Sequence, residues 1–208
     1  MVLTPKQRVI AYIDGFNLYY GLKSKRWQRY YWLNLQALMT NILKPDQQLV
    51  HTKYFTARVK GPPDKVARQA TFLDALSTLS DFSVFYGQYY LTNRTCRNCG
   101  FKDSVPSEKM SDVNIAVQML SDAFRDQFDT AFLVSADSDL TGPVKAVLQG
   151  FPAKRVVVVF PPARHSVALT KVASAYLTLG RATLDRSTFP PQVRRQDGFS
   201  LQQPTSWR

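Results

Sequence analysis

The stretch TAFLVSADSDLTGPVKAVL, residues 130–148, is apolar up to Val134 and then turns to two aspartates, Asp137 and Asp139, one residue apart. A buried strand ending on paired carboxylates, in a chain of net charge +12, raises the question of what balances them. Asp14 closes a second apolar run, RVIAYID (8–14). Asp112, in EKMSDVNIAVQML, falls in the first turn of a helical pattern, one position off its apolar stripe. Any one of these alone would be read as a cap. Together they would repel one another and lose hydration, so they need a counter-charge. Two histidines, His51 and His165, and two cysteines offer no soft-metal set. That leaves a hard divalent cation bound by oxygen, Mg²⁺ or Mn²⁺, which can also bridge to a substrate phosphate.

The segments that must position these acids alternate in type. RVIAYID (8–14), LVHTKYFTARV (49–59), FSVFYGQYYL (82–91), TAFLVSA (130–136) and RVVVVF (155–160) read as five strands. The fully apolar VVVV suits a strand covered on both faces. Helical spacing appears in 65–79 and, more strongly, in 109–124, with shorter helices at 34–43, 142–149 and 166–175. Strands alternating with helices predict an α/β fold with a mainly parallel sheet and right-handed crossovers. In such a sheet ligands gather outside the carboxyl ends of the strands, where Asp14, Asp137 and Asp139 stand. A helix leaving that edge brings Asp112 to the same rim.

At 208 residues the chain suits one substantial core. Its 27 Lys and Arg against 15 Asp and Glu favour a polyanionic partner, nucleic acid above all. No apolar run approaches the roughly 18 residues needed to span a bilayer. The N-terminus lacks the pattern of a signal peptide, and so few cysteines make a reducing cytoplasm the expected compartment. The periodic pattern fades near residue 186, predicting a domain over 1–185 followed by a flexible basic tail, 186–208.

With these residues in place, the chain resembles the NYN domain family, the LabA-like branch of the PIN-like nuclease superfamily. The likeness lies in YIDGFNLYYGLK (12–23), SEKMSDVNIAVQML (107–120) and LVSADSDLTGPVKAV (133–147), in that order. It implies a three-layer, PIN-like (Rossmann-like) fold with five strands in an order near 3-2-1-4-5. It also implies metal-dependent hydrolysis of RNA phosphodiesters by a ribonuclease. Carried over by position, the catalytic and metal-holding acids are Asp14, Asp112, Asp137 and Asp139, with Asn17 as an orienting group and Lys109 near a phosphate. The sequence departs from the family pattern at Met110, where glycine is common, at Ser111, at Gln118, where a further aspartate is common, and at Ala136.

Substrate binding falls to cations near the rim. Lys23, Lys25 and Arg26 follow the first motif and are mixed with aromatics, and Arg58 and Lys60 close the second strand. Tyr31 and Trp32 read better as core or interface residues. Cys96-x-x-Cys99 is half a zinc knuckle, and neither histidine lies where it could complete four ligands. Zinc is therefore expected there only if two chains share it across a homodimer. Two rivals remain open: an RNA-binding module on the same fold with little or no catalysis, and another phosphoryl enzyme such as a phosphatase. The phosphatase would place paired aspartates after its first strand, where IDGFN offers one.

Overall fold

The computed structural model describes residues 5–95 and 98–208, with side chains throughout except at 89–95 and 102–109. In chain order the elements are β1 (Gln7–Asp14), α1 (Gly15–Ser24), α2 (Leu35–Thr40), β2 (Gln47–Thr56), α3 (Pro63–Leu76), β3 (Phe82–Tyr86), β4 (Gln88–Thr95), β5 (Lys102–Lys109), α4 (Ser111–Phe124), β6 (Thr130–Val134), α5 (Thr141–Gly150), β7 (Arg155–Phe160), α6 (Val167–Val172), β8 (Ala175–Thr178), α7 (Arg181–Asp185), β9 (Gln192–Arg194) and β10 (Ser200–Gln202). Six of the strands form a parallel sheet in the order β3-β2-β1-β6-β7-β8. The five-strand order expected from the family likeness is therefore kept and extended by one edge strand.

Two apolar layers cover the sheet, and strand alternation sorts residues between them. Val9, Ala11 and Ile13 of β1 face one core with Leu18, Leu38, Tyr54 and Leu76. Ile10 and Tyr12 face the other with Ile115, Met119, Val144 and Val158. Both faces of β6 and most of β7 are buried, as their unbroken apolar runs require.

Three sequence expectations change. The run 82–91 is two strands rather than one. It breaks at Gly87, whose N–H donates to the Thr56 carbonyl at 2.8 Å, and β4 leaves the sheet to pair antiparallel with β5. The helix expected over 166–175 stops at Val172, and Ala175–Thr178 turns into an edge strand beside β7. That strand is short and largely exposed, so its residues carry little periodicity to read.

The third change concerns residues 186–208, which pack onto the first core instead of trailing as a flexible tail. Phe189, Val193 and Leu201 are buried there. Trp32 Nε1 donates to the Pro190 carbonyl at 2.8 Å, and the Phe189 N–H donates to the Trp32 carbonyl at 3.0 Å. The prolines and arginines of this segment mimic disorder, while four widely spaced apolar side chains, Trp207 included, fill the flank beside Trp32 and Phe72.

Candidate nuclease site

β1 ends on Asp14, whose side chain begins α1: Oδ1 accepts from the Asn17 N–H at 2.9 Å, an N-cap. Register sets the rest. Ile13 pairs with Val134, so Ser135 lands beside Asp14, and its hydroxyl donates to Asp14 Oδ2 at 2.9 Å. Asp14 is only 4% exposed. Burial pushes its carboxyl up, while the bonds from Asn17 and Ser135 pull the other way and the nearby Asp137 charge adds to the rise.

Asn17, also buried, joins three segments. Its Oδ1 accepts from the Ala136 N–H at 3.2 Å and from Arg164 Nη1 at 3.1 Å. Two glycines allow α1 to sit this close. A Cβ on Gly15 would stand 2.6 Å from the Tyr54 hydroxyl oxygen, and one on Gly21 would stand 2.6 Å from the Pro162 carbonyl oxygen. The motif Asp14-Gly15-x-Asn17-x-x-x-Gly21 thus presses one helix against β2 on one side and the loop after β7 on the other.

Asp137 and Asp139 follow β6 in a tight turn. The Asp137 N–H donates to Ser135 Oγ at 3.1 Å, and Asp137 Oδ1 accepts from the Asp139 N–H at 3.0 Å, capping the turn Ser138–Leu140. Asp112 lies in the first turn of α4, but the cap position is Met110, which is left-handed at φ 81°. The carboxyl of Asp112 is therefore not the helix cap. It is half-buried and pushed up to about 6, first by burial and then by the charges of Asp14, Asp137 and Asp139. The charges of Asp14, Asp137 and Asp139 thus all reach Asp112 from the carboxyl edge of β1 and β6.

Farther along α4 a buried network fixes the helix. Asp122 accepts from the Tyr12 hydroxyl at 2.6 Å and from Lys53 Nζ at 2.7 Å, and Lys53 also donates to Gln118 Oε1 at 2.8 Å. Gln118, where the family often has an aspartate, is thus a partner of Lys53.

The expected cations spread more widely. Lys23, exposed, stands over the Tyr19 and Tyr20 rings at 6.0 and 5.8 Å. Arg58 lies over Tyr86 at 4.9 Å, just beyond β2. Lys60 is exposed in the loop before α3. Lys25 and Arg26 are exposed beyond the C-terminal end of α1, the end opposite Asp14. Lys109 ends β5 two residues before α4. Cys99 is exposed, and Cys96, needed for the shared zinc site, lies outside the described residues.

Two features escaped the sequence reading. Arg164 follows β7 at the same rim as the acids and contacts Asn17; the rule that pointed to Asp137 would have found it in PPARHS. A cavity of about 640 Å³ also opens beside α1, lined by Gly15 and Phe16, which directly follow Asp14, and closed on one side by Trp207.

Among the described residues no three His, Cys, Asp or Glu side chains are gathered tightly enough to cage an ion by themselves. The donor chemistry nonetheless fits a hard cation: every donor is a carboxylate oxygen, and their mutual repulsion is what a cation relieves. Mg²⁺ in particular keeps several waters and needs only one or two carboxylates.

A three-layer α/β protein with acids along the carboxyl edge of a parallel sheet belongs to the class that binds its ligands at that edge. Within that class, the chain belongs to the NYN domain family, whose profile matches residues 8–203. The family places it in the PIN-like nuclease superfamily. The chain is also similar to 6-hydroxy-3-succinoylpyridine 3-monooxygenase HspA of Pseudomonas putida, at 31% identity over 190 residues, covering 74% of this chain. It spans 59% of that relative's length. A crystal structure of a protein of unknown function from Vibrio parahaemolyticus has the same fold, with a TM-score of 0.57 at 20% identity, covering 91% of this chain and all of that one. Among the described residues, no helix is long and apolar enough to cross a membrane.

Proposed function

We propose that the protein is a divalent-metal-dependent ribonuclease acting at the edge formed by Asp14, Asp112, Asp137 and Asp139. The observation that supports this reading is the placement of Asp14, Asp137 and Asp139 at the carboxyl ends of the paired strands β1 and β6, with Asp112 of α4 near enough to feel all three charges. They would hold Mg²⁺ or Mn²⁺, which when bound polarises a phosphoryl oxygen and acidifies a water. Hydrolysis adds that water across a P–O ester bond, which breaks to leave a phosphate and a ribose hydroxyl.

The chain's own groups prepare that step. Ser135 and the first turn of α1 hold Asp14 in one orientation. Asn17 ties the turn carrying Asp137 to Arg164. The Arg164 guanidinium, whose Nη1 is held by Asn17, would meet a non-bridging phosphate oxygen through its remaining N–H groups. Lys23, Lys25, Arg26, Arg58, Lys60 and Lys109 supply the wider field that draws a polyanion to the site.

A second reading comes from the relative named as a monooxygenase of a succinoylpyridine. The cavity beside Asp14, aromatic with a cationic lining, would also suit a small heteroaromatic acid. The deciding experiment is cleavage of labelled single-stranded RNA, structured RNA and DNA with Mn²⁺, Mg²⁺ or EDTA, using wild type and Asp137→Asn in parallel. Metal-dependent cleavage of RNA by wild type alone is the expected result. Equal cleavage by both proteins would remove the aspartate edge from the reaction. Salt-sensitive RNA binding without cleavage would favour a binding module.

A further inference from the structure

The cavity beside α1 is built largely of rings. Tyr54 of β2 and Phe72 of α3 stand edge-to-face at 6.3 Å, and both line it. Tyr31 and Trp207 line it too, edge-to-face at 5.7 Å, and Tyr19 lies 5.0 Å from Tyr31. Each ring is braced by another, so these walls are already shaped before any ligand enters. At about 640 Å³ the space falls within the range of roughly 300–1,000 Å³ typical of small-molecule sites.

The charged part of the lining has one sign. Lys23, Arg26, Lys65 and Arg68 border the cavity, and no Asp or Glu is among the lining residues. Arg68 is engaged by Asp64, four residues earlier on α3. Lys23 and Lys65 are exposed. A ligand complementary to this lining has a planar ring for the aromatic walls and an anionic group for the cations.

Position narrows the choice. Gly15 and Phe16, which line the cavity, continue the chain directly from Asp14. Thr56, also a lining residue, follows Phe55, the strand partner of Asp14. The cavity therefore opens next to the end of β1, although none of the four aspartates lines it. Resting on the ribonuclease reading, we propose that the cavity receives one unpaired nucleotide of the RNA, its base among Tyr19, Tyr31 and Trp207 and its phosphate toward Lys23 and Lys65. The RNA would continue from there past Gly15 and Phe16 toward the aspartate edge. A base inside a duplex is stacked and paired and cannot enter, so the cavity selects single-stranded RNA.

The test is isothermal titration in EDTA, which removes any contribution of a divalent cation. The titrants are UMP, AMP, uridine, inorganic phosphate and nicotinate (pyridine-3-carboxylate), against wild type, Tyr31→Ala and Lys65→Gln of confirmed wild-type circular dichroism. Lys65 is exposed on α3, so that variant keeps the test valid if Tyr31→Ala misfolds. Expected are saturable binding of a mononucleotide and about tenfold or greater weakening by Tyr31→Ala, in line with base–aromatic stacking elsewhere. Lys65→Gln should weaken the nucleotide but not uridine. Nucleotide binding unchanged by both substitutions overturns the assignment, as does binding of nicotinate with none of either nucleotide, which supports the heteroaromatic-acid reading instead. Metal-dependent cleavage by a wild type that binds no nucleotide in EDTA overturns the cavity assignment and leaves the ribonuclease reading standing. Nucleotide binding by a protein that cleaves nothing supports the cavity as a nucleotide site and sinks only the catalytic reading.

Discussion

Asp112→Asn should make the metal-free protein more stable at neutral pH while abolishing metal-dependent cleavage. The carboxyl of Asp112 is raised from 3.8 to about 6, by burial and by Asp14, Asp137 and Asp139. Between those two values the folded state binds more protons than the unfolded state, so stability falls as pH rises. The penalty is absent below about pH 3.8 and complete above about pH 6. A rise of that size corresponds to about 3 kcal/mol. Asp112 is only half-buried, and screening by solvent reduces this to about 1–2 kcal/mol. Asparagine keeps the shape and removes the charge, so the variant should gain that amount at pH 7.5 and lose the advantage as pH falls toward 4. Urea unfolding in EDTA at pH 4 and pH 7.5 measures both, and thermal melting at pH 7.5 should show a gain of roughly 2–4 °C per kcal/mol for a chain of this size. Adding Mn²⁺ should stabilise wild type more than the variant, because a cation removes the same repulsion. A variant less stable than wild type at pH 7.5, or a difference independent of pH, would refute the account of four carboxylates repelling across one edge.

Lys53→Met should cost about 3–5 kcal/mol in chemical denaturation, because it strands Asp122 buried with only neutral partners. A loss under 1 kcal/mol would mean that Asp122 is less enclosed than its contacts indicate. Met110→Gly should raise the unfolding free energy measured in urea by about 0.5–1 kcal/mol, since φ 81° costs a side chain about 1–2 kcal/mol and glycine's extra unfolded freedom returns part of that. Deleting residues 189–208 removes Phe189, Val193 and Leu201 from the core, at about 1.5–3 kcal/mol each, enough to unfold an ordinary domain. A soluble truncated protein melting at the wild-type temperature would contradict that packing.

The site was easier to read in the sequence than the wall beside it. Asp14, Asp137 and Asp139 follow apolar runs that admit one interpretation, a strand's carboxyl end, and the sheet rule then carries them to one place. Asp112 needed the further step that a helix starts where the preceding connection returns. Ser135 was visible as a residue but not as a partner of Asp14, because that bond depends on the register between β1 and β6. Tyr31 read as core or interface, and it packs against the first core while also lining the cavity beside Trp207. That pairing with Trp207 joins residues far apart in the chain, and no local period reports such a contact. Met110 departs from the family's glycine without breaking the turn, because a long side chain there can point to solvent.

Asp14 answers to two requirements at once. As the first residue ahead of α1 it must offer an oxygen to the Asn17 N–H, which Asp, Asn, Ser and Thr can all do. In the proposed role of holding a cation it must also carry a charge, which among those four only aspartate does. The overlap of the two sets contains a single amino acid. Saturation mutagenesis scored for solubility should therefore tolerate Asn, Ser and Thr at this position. The same library scored for activity should tolerate none of them, and alanine should fail both screens. Comparing the two tolerance profiles at one codon would separate what the helix demands from what the chemistry demands.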